Sequence, residues 1–570
     1  MSNSQTHIYE FDEFRLDAAK RLLSRGGETI ALMPKAFDTL LYLVENGGRI
    51  VEKDELMAEI WTDAIVEENN LSQNISILRR VLGEKKNEHR FIVTVPSRGF
   101  KFVAEVRPLS QTPAFTAIKS IAVLPFQPLV AENRNEALEM GMADTLISKL
   151  GGEEIIVRPL NSVRHYYSIN RDCLFAGREL GVEAVLDGSI LTVGSRLRVS
   201  ARLVRTGDGK QVWAEQFDEE FTDIFLVQNL ISERVAAALK IRLSGNEKQH
   251  RTENVEVYQF YVKGRLHGDR FTLPEIRKSI RYFEQAIALD ANYALAYAGL
   301  ADAYLRLALL NNVPAREVLP QATTAAKRAT ELAPHNADAF ANLAWIIFWA
   351  EWDWQAAKKY CRRGIELNPN NSFVRMVYAH LLSNIGRHAE SLAEIRRARE
   401  LDPTSIFNQA IEGQILLFAG KTDEALDTLQ GTIETNPKFW LSYLFISRVH
   451  NEKQMHEEAI AALAKAGELF PANKESHALL GYALAKAGKL TQAQNVLDKL
   501  CRLSNREYVA PYNLAMIHNG LGASEKALNY LEKACAEKNV LMVFLKVEPK
   551  WNNLRNEPRF IDIMKGMKLQ

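Results

Sequence analysis

A stretch of amides and arginines near the amino end has the residue types that bind nucleic acid. From Asn69 to Lys101 there are 7 basic and 2 acidic side chains, whereas residues 1–68 carry 7 basic and 14 acidic ones. Asn and Gln side chains pair bidentately with adenine edges, and Arg pairs with guanine or with phosphate. This basic, amide-rich stretch therefore predicts a DNA-binding surface on an otherwise acidic region.

The spacing of apolar residues places these polar side chains on one face of a helix that runs from about Glu67 to Gly83. Leu71, Ile75, Leu78 and Leu82 follow the helical period, so we expect them in the core. The opposite face then carries Asn69, Asn70, Gln73, Asn74, Ser76 and Arg80. Such a face suits a helix that lies in the major groove, and a solvated face without a ligand is the alternative.

The segments around this helix predict the elements that position it. Short strands come first, followed by a helix from Pro34, a short second helix KDELMAEIW and then the candidate helix. FIVTV and GFKFVAEV form a hairpin around residues 96–99. Strands, three helices and a hairpin in this order make a winged helix-turn-helix, in which we expect Phe37 and Trp61 to be core residues.

Residues 1–107 resemble the OmpR/PhoB-type effector domain. The matching segments are LMPKAFDTLLYLVENGGRIVEKDEL, Trp61, NLSQNISILRRVLG and FIVTVPSRGFKFV. The resemblance implies base contacts from Asn70, Gln73, Asn74 and Ile77, and phosphate contacts near Asn69, Ser76, Arg79 and Arg80. It also implies that Arg98, at the tip of the hairpin, enters the minor groove, and a solvated turn residue is the alternative. We expect Lys101 to meet phosphate. The family often has basic residues where this chain has Ser76 and Ile77.

Residues 116–245 alternate strands and helices and predict an α/β domain. Gly207-Asp208-Gly209-Lys210 lies between two predicted strands, so we interpret it as a hairpin turn and not as a phosphate-binding loop, which precedes a helix. The pattern SIAVLPF, GMADTLISKL, GRELGVEAVLDGSI and RLRVSARLVRTGDGKQVWAEQFD resembles a domain related to the FlgO and TolB amino-terminal regions. That resemblance brings no catalytic motif.

Residues 255–570 contain repeats whose spacing matches the tetratricopeptide period. Pro369, Pro403, Pro437 and Pro471 follow one another at this constant spacing, and small residues recur in phase at Ala379, Gly413, Ser447, Gly481 and Ala515. Glycines mark the turns within repeats, and Gln454 takes the place of one of them. We predict eight helix pairs between about Val257 and Ala534, stacked in an all-α superhelix and followed by a terminal cap.

The concave surface of such an array is a candidate docking site. We expect it to be lined by residues at one position of the first helix in each repeat. These residues are Arg375, Gln409, Tyr443 and His477. We expect these side chains to bind a protein partner or a second copy of the chain. A rigid spacer with solvated side chains is the alternative.

Composition restricts the class of function. The 570 residues carry 71 basic and 70 acidic side chains, the four cysteines are widely separated, and the first residues do not resemble a secretory signal. We expect a cytoplasmic chain without a membrane segment, cofactor or metal, and no enzymatic motif occurs. The sequence favours a sequence-specific regulator of transcription that binds double-stranded DNA and receives its signal through the α/β and repeat domains. The alternative is a non-catalytic scaffold whose winged helix binds protein.

Overall fold

The computed structural model describes residues 8–18, 21–26, 28–30, 32–61, 68–85, 88–109, 118–130, 135–152, 154–167, 172–220, 224–241, 252, 254–268, 272–310 and 313–569. The chain divides into two compact units, Met1–Ala117 and Ile118–Gln570. Among the described residues, no helix is both long and apolar enough to span a membrane.

Within its described residues, the first unit contains two antiparallel sheets and three helices. Its strands are β1 (Ile8–Phe11), β2 (Phe14–Asp17), β3 (Leu22–Arg25), β4 (Glu28–Ile30), β5 (Ile50–Glu52), β6 (Ile92–Val95), β7 (Gly99–Phe102) and β8 (Arg107–Leu109). Its helices are α1 (Pro34–Glu45), α2 (Lys53–Ile60) and α3 (Glu68–Val81). The sheets have the orders β4-β3-β2-β1-β8 and β5-β7-β6. The predicted winged helix-turn-helix order is confirmed, whereas the short strands β5 and β8 were not predicted.

Four phenylalanine rings join the first sheet of this unit to the hairpin β6–β7. The ring centroids of Phe11 and Phe102 are 5.1 Å apart, and those of Phe14 and Phe91 are 5.6 Å apart. All four rings are almost completely buried. Edge-to-face contacts of this kind add to the burial of apolar area, so the cluster holds the hairpin against the sheet.

A glycine is required where β7 begins. A Cβ atom added to Gly99 would lie 2.0 Å from the carbonyl oxygen of Val51, on the paired strand β5. Only glycine allows the two backbones to approach this closely. The turn before it places Ser97 in the left-handed region, with φ of 61°. The backbone thereby fixes the direction in which the hairpin tip points.

The second unit begins with an α/β layer. Its strands are β9 (Ser120–Val123), β10 (Gln127–Pro128), β11 (Ile156–Val157), β12 (Ala184–Val193), β13 (Arg196–Arg205) and β14 (Gln211–Glu220). Its helices are α4 (Glu136–Leu150), α5 (Leu160–Val163), α6 (Cys173–Glu179) and α7 (Ile224–Leu239). The sheet order is β11-β9-β12-β13-β14, with β10 paired to β12. Residues 207–209 connect the antiparallel strands β13 and β14, which confirms the predicted hairpin turn.

Sixteen helices form the eight predicted pairs of the repeat array. They are α8 (Val255–Gly268), α9 (Leu273–Leu289), α10 (Ala294–Leu309), α11 (Ala315–Leu332), α12 (Ala337–Ala350), α13 (Trp354–Leu367), α14 (Ser372–Asn384), α15 (His388–Leu401), α16 (Ile406–Phe418), α17 (Thr422–Thr435), α18 (Trp440–Glu452), α19 (His456–Leu469), α20 (Lys474–Lys486), α21 (Leu490–Leu503), α22 (Pro511–Gly520) and α23 (Ser524–Ala536). The predicted superhelix of helix pairs is confirmed.

The chain continues beyond the last pair through two 3₁₀ segments, Val540–Phe544 and Pro549–Leu554, and a final helix α24 (Pro558–Gly566). Helix α24 packs against α23, as expected of a cap. The second 3₁₀ segment packs on the last pair, where Trp551 donates to the Tyr512 hydroxyl of α22 over 2.9 Å. The first segment reaches earlier repeats, because Phe544 contacts Trp349 on α12 and Phe418 on α16, with ring centroids 5.6 and 5.8 Å apart.

The α/β layer is packed directly onto the repeats. The Ser162 hydroxyl donates to Asp402 over 2.6 Å, and the Asn370 amide donates to the Gly152 carbonyl over 3.2 Å. Arg158, buried beside them, donates to the carbonyl of Leu401. These contacts reach the turns between repeats, so the α/β layer and the repeats form one body.

The turn at Gln454 provides a test of the repeat geometry. Gln454 has φ of 60°, whereas the equivalent Gly420 has φ of 76°. A left-handed conformation costs a residue with a Cβ atom about 1 kcal/mol, so Gln454→Gly should stabilise the array by about that amount. Gly420→Ala should destabilise it similarly. Urea unfolding followed by tryptophan fluorescence measures both, and Gln454→Ala, which keeps the Cβ atom, is the control that should show no gain.

Candidate nucleic-acid interface

Helix α3 separates an apolar face from a polar one, as its sequence predicts. Leu71, Ile75, Leu78 and Leu82 are at most 2% exposed. On the other side the exposed residues are Asn70, Gln73, Ser76 and Arg80, and the half-buried ones are Asn74, Ile77 and Arg79. The side chain of Asn69 lies outside the described residues. The polar face therefore presents two amides and one guanidinium in full and a third amide in part.

Arg79 differs from its neighbour Arg80 because its guanidinium is bound within the domain. It donates to the Ile92 carbonyl over 3.0 Å and to the Thr94 hydroxyl over 2.8 Å. Its Nε lies 3.5 Å from a carboxylate oxygen of Glu84, whose side chain is completely buried. The other oxygen of Glu84 accepts a bond from the amide of Ile92. Arg79 and Glu84 thus fasten the end of α3 to β6.

Four other arginines of this unit are paired with carboxylates. Arg21 lies 2.5 Å from Asp38, and the remaining pairs are Arg25 with Glu13, Arg49 with Glu55 and Arg90 with Asp12. The hydrogen bonds from Arg49 and Tyr42 lower the pKa of Glu55 to about 2. Arg90 belongs to the basic stretch, but it is not a free cation because it is paired with Asp12.

Three cations on α3 and the hairpin differ from these arginines in their lack of a carboxylate partner. Arg80 and Arg98 are exposed, and Lys101 is half-buried on β7. Within the described part of the unit, none of the three forms an ion pair. Cations without internal partners are the ones that remain available to neutralise phosphates. The arrangement can therefore bind a polyanion through one helix and the adjacent hairpin.

The four predicted docking residues of the repeats bond inward. Arg375 donates to the Pro369 carbonyl over 2.9 Å, Gln409 to Pro403 over 3.0 Å and Tyr443 to Pro437 over 3.2 Å. His477 lies 2.9 Å from the carbonyl oxygen of Asn473, and all four residues are half-buried. Arg375, Gln409 and Tyr443 thus tie the start of their helices to the preceding turn. His477 contacts the N-cap residue of its own helix. This geometry supports a structural role at that phase of the repeat.

The comparisons with known proteins agree with this arrangement. Residues 27–102 match the family described as transcriptional regulatory protein, C terminal, and residues 412–474 and 512–539 match tetratricopeptide repeats. The chain carries an OmpR/PhoB-type DNA-binding domain. Helix α3 and the hairpin β6–β7, whose tip is formed by residues 96–99 and is called the wing, both lie within the matched residues.

Three relatives show how far the similarity extends. The transcriptional regulator HilA of Salmonella typhi is 23% identical over 560 residues, or 96% of this chain and 98% of its own length. The putative adenylate cyclase 3 of Rhizobium meliloti is 30% identical over 196 residues, 33% of each chain. The transcriptional activator CadC of Escherichia coli is 29% identical over 103 residues, 18% of this chain and 20% of CadC. The solved DNA-binding domain of CadC is 28% identical, with a TM-score of 0.17, and covers 18% of this chain and 99% of that structure.

Two features of the site were missed from sequence. The pairing of Arg79 with buried Glu84 was not predicted, although a lone acid directly after the helix, within a basic stretch, is a usable signal. The second is a set of buried residues on the first helices of the repeats, with the same period as the predicted docking residues. These residues are at most 8% exposed and are His380, Gln414, Arg448, Tyr482 and Met516.

Replacing Arg79 tests its role as a clamp. Arg79→Ala removes two hydrogen bonds and the ion-pair partner of a buried carboxylate, so it should destabilise the hairpin by about 2–3 kcal/mol. Amide exchange of Ile92 and Val93 should then accelerate by about 30-fold or more. Arg80→Ala is the matched control and should leave this exchange unchanged. Equal effects of the two substitutions would contradict the clamp.

Proposed function

We propose that this chain is a sequence-specific DNA-binding regulator of transcription. The observation that carries the proposal is the distribution of charge in the first unit, where most described arginines outside the interface are paired, whereas Arg80 and Arg98 are not. Two relatives of this chain are named as a transcriptional regulator and a transcriptional activator, which agrees with it.

In this proposal α3 lies in the major groove. Asn70, Gln73, Asn74 and Ile77 face the bases, while Asn69, Ser76 and Arg80 lie beside phosphates. Arg98 enters the minor groove from the wing, and Lys101 meets phosphate. Arg79 was expected at a phosphate, but its three internal contacts support a different contribution, because they hold the wing at a constant distance from the helix.

The second unit is proposed to receive the regulatory signal and to bind a protein partner or another copy. The packing of the α/β layer on the repeat turns supports this, because a ligand of either part would bind the same compact unit. We propose a non-catalytic role for the α/β layer. A chain that regulates transcription must reach DNA, so we place it in the cytoplasm.

The salt dependence of binding tests the phosphate contact of Arg80. Arg80→Ala should weaken binding to every DNA sequence and reduce the slope of log K against log salt by about one, because one phosphate is no longer neutralised. Arg25→Ala, which removes an arginine already paired with Glu13, is the control. Gel-shift titrations across a salt series measure both. A shallow slope for the wild type would favour a scaffold that binds protein.

Base readout by Asn74 requires a different measurement. Asn74→Ala should lose about 1–3 kcal/mol at one base pair of a selected site and little at the others, because a single amide reads a single base edge. Binding to all single-base variants of a site selected from random DNA measures this profile. Ser72→Ala, on the exposed surface of α3 but outside the proposed contacts, is the control. A uniform loss at every position would show that Asn74 contacts the backbone.

A further inference from the structure

The inner face of the repeats is occupied by the chain itself. We call residues 540–551 the inner segment. Phe544 lies at its centre, with its ring centroid 5.6 Å from that of His380 and its face 5.7 Å from the guanidinium of Arg448. His380 and Arg448 belong to helices α14 and α18, at inner positions that recur once in every repeat.

The polar residues of the inner segment contact side chains of the repeat helices. One Glu548 oxygen lies 3.5 Å from Nε of Arg448, and the other accepts a bond of 2.9 Å from the Tyr512 hydroxyl. Trp551 donates to that hydroxyl over 2.9 Å, and Lys550 donates to Met516 over 3.1 Å. The ring of Phe544 thus lies against α12, α14, α16 and α18. The carboxylate of Glu548 contacts α18 and α22, and it is also paired with Lys550 of the segment itself over 2.5 Å.

The inner segment leaves other groups of the same helices unused. Ser383 and Asn384 on α14 and Asn513 on α22 are all 0% exposed. Their side-chain polar atoms have no hydrogen-bond partner among the described residues. An Asn amide both donates and accepts, so it can pair with the N–H and C=O of a peptide backbone. Burying these groups unpaired costs free energy that a ligand pairing with them would recover.

We infer that the inner segment is an internal occupant of the partner site of the repeats. The partner it implies is a peptide of another protein that presents an aromatic side chain and a carboxylate, pairs with the unused amides and displaces residues 540–551. This inference deepens the proposed partner binding and rests on it. In this inference the docking site is formed by the set of residues that begins with His380, and not by the set that begins with Arg375.

A peptide supplied in trans tests the inference in the full chain. A labelled peptide of residues 538–554 should bind the Phe544→Ala chain about tenfold or more tighter than wild type, because the internal occupant lowers the fraction of open sites. Ile561→Ala, on α24 and outside the inner segment, is the matched control and should behave as wild type. Equal affinity for all three chains, or no binding to any, would overturn the inference.

Hydrogen exchange of the wild-type chain is a second test of the inference, which does not require the Phe544→Ala chain to fold. Amides of Leu541–Phe544 should exchange about tenfold faster than those at the centres of α14 and α16, since a displaceable segment opens before the array unfolds. Exchange as slow as in those helices would show permanent core and overturn the inference. Gel-shift titration of the same chains reports DNA binding separately, so failure of the two proposals is distinguishable.

Discussion

The attachment of α3 to the hairpin is the constraint on which DNA binding depends. A helix in the major groove and a wing in the adjacent minor groove contact the same duplex only if their separation is constant. Arg79 and Glu84 provide this constancy at the end of α3, and the rings of Phe91 and Phe102 provide it beneath the hairpin. Residues that touch no DNA in the proposed complex therefore determine whether α3 and the wing can contact the same duplex.

Charge pairing determines which arginines of the first unit remain available to bind DNA. The first unit is rich in both carboxylates and arginines, and a uniform mixture would bind DNA weakly. Pairing of Arg21, Arg25, Arg49 and Arg90 removes cations from much of the surface. Of the described arginines without a carboxylate partner, Arg80 and Arg98 lie on α3 and the wing, whereas Arg15 lies on β2. In the proposed complex the electrostatic attraction and the amides proposed to read bases therefore lie on the same elements. Nonspecific attraction and specific readout then favour the same orientation of the domain on DNA.

Periodicity explains what was predictable from sequence. The apolar period of α3, the turn at residues 207–209 and the tetratricopeptide period each follow from local spacing, and each appears in the structure. Strands β5 and β8 are very short and are defined by distant partners, so no local pattern reveals them. The sequence could not show which of two positions on these helices is the more buried, because the positions of Arg375 and His380 both recur with the repeat. The path of residues 540–551 depends on contacts with helices far earlier in the chain, which spacing does not encode.

Hydrogen exchange of the full chain with and without double-stranded DNA at low salt tests the central claim most directly. The account predicts that a pool of random duplexes slows exchange in α3 and in residues 92–101, because these elements contact the duplex. Residues 118–569 should show no comparable protection. Protection centred on the repeats, or none on α3 and the wing, would contradict the account.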